Sequence, residues 1–171
     1  MEPIEIIGQI LGGVAIILGL ISYQMKTQGR IILMQALTGL VFVVQYLLLG
    51  AYTGMAMNLV GVVRCIVYYF RNKRGSNEKV TPMVFAVIMA IIGILTWNAW
   101  YSVFMFLGLV INTLCLAFSD PQKLRISVLI TCPMVLTYNV LIPTPSIGGI
   151  VYESVAIISA IVGLARNRKK A

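Results

Sequence analysis

The chain has 171 residues, 60% of them hydrophobic and only 11% charged. Soluble domains carry about 25% charged residues, so this composition, with a mean hydropathy of +0.96, excludes an ordinary soluble domain and points to an integral membrane protein. The net charge of +8, from 13 Lys and Arg against 5 Asp and Glu, reads here as a topology signal and an attraction to anionic lipid, so no nucleic-acid role is expected.

Runs of about 18 or more apolar residues cross a hydrocarbon core of roughly 30 Å, at 1.5 Å per residue. Seven such runs follow one another, and each predicts a membrane helix. The first, 4–23, opens in MEPIEIIGQILGG, which has two acids and no base. It therefore lacks the basic start of a cleaved signal peptide and reads as a span. After QMKTQGR comes 31–50, with Gln45 inside it. The short turn AYTG leads to 54–71, MAMNLVGVVRCIVYYF and its flank, which carries an amide at Asn58 and a positive charge at Arg64. A fourth run, 81–97, follows the basic turn NKRGSNEKV and ends near Trp97 and Trp100, a pair suited to a membrane interface. The fifth, 100–118, ends in SDPQKLR. The sixth, 125–142, contains Pro133 and Asn139, and after PTPSIGG the seventh, 147–165, contains Glu153. Pro133 removes a backbone hydrogen bond and predicts a kink, either a hinge or a static bend. The turns are mostly short, so successive helices should be antiparallel neighbours.

The bases are distributed unevenly. Lys26 and Arg30 lie in the first turn, Arg71, Lys73, Arg74 and Lys79 in the third, Lys123 and Arg125 in the fifth, and Arg166, Arg168, Lys169 and Lys170 in the tail. The other turns and the N-terminus have none. The positive-inside rule then places the N-terminus outside and the C-terminus in the cytosol. The chain also repeats. RNKR from Arg71 returns as RNRK from Arg166, and the same 95-residue shift superposes Arg30 on Arg125, Gly13 on Gly108 and Gly54 on Gly149. The expected fold is an all-α membrane protein, a single membrane domain over 1–171. Its seven transmembrane helices form two parallel three-helix repeats, 4–74 and 100–170, joined by a linking helix at 81–97 (3+1+3). Such repeats are a common way to build transporters.

The segments LLLGAYTGMAMNLVGVVR (Leu47 to Arg64) and SIGGIVYESVAIIS (Ser146 to Ser159) resemble the YgjV-type bacterial inner membrane protein family. That resemblance implies a multi-pass protein of the bacterial inner (cytoplasmic) membrane. The 3+1+3 layout is similar in architecture to the SWEET, SemiSWEET and PQ-loop superfamily, and the Pro121–Gln122 dipeptide matches the PQ pattern. In sugar-carrying members an Asn on the third span faces another on the seventh. Here Asn58 stands on the third, but the repeat shift places Glu153, not Asn, on the seventh, and the first span ends in SYQMK without a proline.

Depth follows from helix rise alone. Asn58 lies 13 residues before Arg71, and Glu153 lies 13 before Arg166, so both stand about 20 Å from the basic end. Gln45 and Asn139 reach about 22 Å and 21 Å by the same reckoning. One polar layer drawn from the second, third, sixth and seventh spans is what a substrate cavity between repeats needs. Each amide also has a plainer reading as a hydrogen bond between helices. Glu5 lies at the very start of the first run, so Glu153 is the only acid deep inside one, and it must be paired, protonated or facing water. Arg64, about 9 Å nearer the basic end, is its natural partner. It leans toward the N-terminal end of its helix, away from the basic-side headgroups, which makes snorkelling awkward.

There is no histidine, and Cys65, Cys115 and Cys132 sit on different runs without ligand spacing. No metal, cofactor or enzymatic chemistry is therefore expected. The expected partners are the lipid bilayer and a small polar solute, and a homo-oligomer is compatible with the sequence. The expected function is alternating-access transport of that solute, with Asn58, Glu153, Arg64, Gln45 and Asn139 as substrate contacts. A scaffold or solute receptor built around a structural Arg64–Glu153 pair is the alternative.

Overall fold

A computed structural model describes residues 3–24, 28–74, 80–115 and 121–168. Lys26, Lys79, Lys169, Lys170 and the end of the fifth run at 116–118 lie outside the described residues. The described chain is all-helical, with seven helices: α1 (Pro3–Gln24), α2 (Gln28–Leu48), α3 (Tyr52–Arg74), α4 (Val80–Leu95), α5 (Ser102–Cys115), α6 (Pro121–Leu141) and α7 (Ile147–Arg168). Each of the seven apolar runs becomes one helix, with ends shifted by a few residues. By length and composition, stretches of α1, α3 and α7 (Pro3–Ile21, Tyr52–Arg71 and Ile147–Ala165) can cross a membrane, and the other four are shorter apolar helices.

The packing order is a ring. Helix α2 lies between α1 and α3, and α6 between α5 and α7. The two triplets meet along two seams, α1 against α7 and α3 against α5. Helix α4 packs outside this ring, on α3 and α5. The outer faces are apolar: Ile6, Ile10 and Ile17 of α1, Val87 and Ile91 of α4, and Ile158 and Val162 of α7 are all exposed. Exposed Trp97 and Trp100 lie in the turn between α4 and α5, at the end away from Arg30, Arg71 and Arg125.

The seam between α1 and α7 depends on glycine. A Cβ at Gly12 would fall 2.9 Å from the Cα of Gly148, and one at Gly148 would overlap the backbone of Gly12. Only two side-chain-free surfaces allow so close an approach, as in other membrane helix pairs. Gly50, with φ of 67°, closes the turn after α2 in the left-handed conformation that glycine adopts without strain. Pro133 lies inside α6, which continues unbroken to Leu141. The proline is exposed, on the outside of the ring.

Candidate functional site

The ring surrounds a cavity of about 520 Å³, within the range of small-molecule sites. Helix α2 lines it from Ile32 to Tyr46, and α3 from Met57 to Tyr68; α6 contributes Ser127 to Val135, and α7 Gly149 to Ala156. On α2 that is about 21 Å of helix, from near the basic end to the level of the polar layer. Apolar walls come from Met57, Met89, Met105, Leu109 and Val135.

Three of the five expected contacts line this cavity: Asn58, Arg64 and Glu153. Asn58 and Glu153 each follow, by four residues, a glycine packed on one aromatic–amide cluster. Gly54 lies against Tyr46 and Tyr138, and Gly149 against Asn139. Since the Tyr46 hydroxyl donates to Asn139 Oδ1 at 2.6 Å, both glycines stand at one height, and so do Asn58 and Glu153 one turn below. The Asn58 amide donates back to the Gly54 carbonyl at 2.9 Å, which fixes its rotamer against the helix. Glu153 stands beside the Cys132 thiol of α6.

Among the described residues no ion pair joins Arg64 to Glu153. Arg64 Nη1 instead donates to the Thr113 hydroxyl of α5, which in turn donates to Met89 Sδ at 3.1 Å. The reason is register. Thr53 and Ser102 share a hydrogen bond of 3.2 Å at the start of α3 and α5, and Arg64 and Thr113 each lie 11 residues further on. They therefore sit side by side on parallel helices, and the guanidinium reaches sideways, not up toward Glu153. Its Nε is buried with no hydrogen-bond partner.

Gln45 and Asn139 do not line the cavity. Both are fully buried, on the side of α2 and α6 that meets the turns beyond. Gln45 Nε2 donates to Ser146 Oγ at 3.0 Å, and Asn139 accepts from Tyr46. The Gly54 amide donates to the Tyr138 hydroxyl at 3.0 Å. Their place is in a polar lid above the cavity, at the end opposite the bases. That lid extends along both seams. Gln9 of α1 donates to the Pro145 carbonyl at 2.6 Å and accepts from the Ile147 amide at 3.1 Å. The Thr144 hydroxyl donates to Glu5 at 2.7 Å. On the other seam the Thr53 and Ser102 hydroxyls share their 3.2 Å hydrogen bond, and Thr53 also donates to the Thr96 carbonyl at 2.6 Å.

The family model described as bacterial inner membrane protein, of the YgjV type, matches residues 6–171. The chain belongs to that family. No curated protein and no solved structure matches it. For this YgjV-family protein, the membrane setting makes the cavity charges expensive, so their placement demands an account. Sequence reasoning missed Tyr46, Tyr138, Tyr152, Thr113 and Cys132. The adjacency of Tyr138 to Asn139 was a usable signal for the lid, whereas nothing local marks Thr113, which matters only through the α3–α5 register.

Proposed function

We propose that this protein is a small polar solute transporter of seven membrane-crossing helices. In this reading two three-helix units, α1–α3 and α5–α7, rock about the central cavity, and α4 links them. The basic ends of the helices face the cytosol, in keeping with the distribution of Lys and Arg. The single observation that carries the proposal is the cavity itself, which lies between the two triplets and holds an arginine and a glutamate that do not pair. A scaffold would gain by pairing two such charges, because an unpaired ion removed from water costs several kcal/mol. A site that awaits a solute keeps them apart. The pairing of seams supports the two-unit reading, since exchanging the triplets turns the α1–α7 contact into the α5–α3 contact. Asn58 and Glu153 then occupy equivalent places, and the lid closes the outer end while the cavity reaches toward the cytosolic end.

The test begins with small polar solutes screened for thermal stabilisation of the purified protein, and a hit is followed into proteoliposomes. Glu153→Gln and Asn58→Ala, both still monodisperse, should each weaken stabilisation and uptake by roughly tenfold, the effect of losing about 1.4 kcal/mol of contact. Unchanged uptake in both variants would remove the site from the mechanism.

A further inference from the structure

We infer that the solute carries both an amine and an acid group, set several bonds apart, with the amine at Glu153 and the acid at Arg64. The inference rests on the transporter reading of the same cavity and adds the substrate class. Among the described lining residues, Arg64 and Glu153 are the two formal charges, so the wall is neutral as a whole and bipolar along its length. A bare cation would satisfy Glu153 and leave the Arg64 charge uncompensated. A bare anion would do the reverse, and an uncharged sugar would satisfy neither. A solute with both groups compensates both, and the loaded cavity remains neutral.

The spacing narrows the class. Glu153 shares the level of Asn58, and Arg64 lies six residues further along α3, about 9 Å by helix rise. Arg64 is held at its own level by Thr113, so the two charges do not converge on one point. The wall between them is apolar and open. Val62 and Leu109 line it, and a Cβ built at Gly61, midway between Asn58 and Arg64, would meet nothing within 4 Å. An aliphatic stem fits that stretch, as in an ω-amino acid. Thr113 engages only one of the five N–H donors of the Arg64 guanidinium, so others remain for the acid.

The full chain, purified in detergent, is titrated with ω-amino acids from 3-aminopropanoate to 8-aminooctanoate. Matched alkylamines, alkanoates, diols and the α-amino acid norleucine serve as comparisons. Calorimetry and thermal midpoints are expected to favour an intermediate ω-amino acid by about tenfold or more over every comparison compound. Glu153→Gln should abolish the advantage over the matched alkanoate, and Arg64→Gln the advantage over the matched alkylamine. Equal binding of a monofunctional compound or of norleucine overturns the inference, and so does a series in which nothing binds. If either variant fails to fold, the wild-type series decides by itself. Failure of the transport reading looks different. A protein that binds ω-amino acids but does not move them into liposomes keeps this inference and loses transport. One that carries a diol without help from either charge keeps transport and loses this inference.

Discussion

At the scale of single residues, the five polar side chains expected as substrate contacts divide into two groups. Asn58, Arg64 and Glu153 face the cavity, while Gln45 and Asn139 hold helices together above it. The division separates loss of stability from loss of binding. Asn139→Ala removes the acceptor of the Tyr46 hydroxyl and opens space beside Gly149, so it should cost about 1–2 kcal/mol, near the upper end for hydrogen bonds between membrane helices. Reversible unfolding in mixed micelles should register that loss while solute affinity in the folded fraction is unchanged. A tenfold fall in affinity would instead place Asn139 in the site. The heights of all five residues were legible, because helix rise is fixed. Which way each pointed was not. In a soluble helix the polar face marks the outside, but here the lipid-facing side and the packed side are both apolar, and one residue of error turns a side chain by about 100°. The sideways reach of Arg64 was also hidden, since it depends on Thr113, 49 residues away in sequence.

At the scale of helices, the existence and order of all seven elements were readable from apolar runs and polar punctuation, and the turns at 49–51 and 142–146 fell within a few residues of AYTG and PTPSIGG. Glycines carried a further signal that composition could not sort. Gly12 and Gly13 are neighbours in α1, yet a Cβ at Gly12 would meet Gln45 Nε2 at 2.6 Å and Gly148 Cα at 2.9 Å, while one at Gly13 would meet nothing within 4 Å. The sequence treats them alike, and only packing against α7 distinguishes them. Gly13→Ala should therefore be neutral or stabilising by up to about 1 kcal/mol, through the better helix propensity of alanine. Gly12→Ala and Gly148→Ala should each destabilise by roughly 1–3 kcal/mol, because the backbones must separate or the Gln45 amide must leave Ser146. Midpoints of thermal aggregation for the three variants, compared in one detergent, check the contrast. A midpoint for Gly12→Ala at or above that of Gly13→Ala would show that α1 and α7 do not pack so closely.

For the whole molecule, the transport proposal raises the question of which contacts must break for a solute to pass. Both seams are fastened by hydrogen bonds at the end away from the bases, through Gln9, Glu5, Thr144 and the Pro145–Ile147 backbone on one side and the Thr53 and Ser102 hydroxyls on the other. The cavity continues in the opposite direction, to Ile32, Tyr68 and Ser127. Rocking of the triplets would have to open the fastened end, and the α1–α7 seam offers the shortest path because Gly12 and Gly148 leave no side chain to slide past. Each bond there is worth roughly 0.6 kcal/mol on average, weak enough to be exchanged and strong enough together to bias the closed state. Covalent closure should therefore stop transport without destroying the site. In a chain whose Cys65, Cys115 and Cys132 are changed to alanine and which still takes up solute, the pair Gln9→Cys and Ile147→Cys would be oxidised across the seam. Uptake into proteoliposomes should fall to background, thermal stabilisation by the solute should persist, and reduction should restore uptake. Uptake that continues with the seam cross-linked would mean that α1 and α7 move together and that the solute passes through the α3–α5 seam or through motions within a triplet.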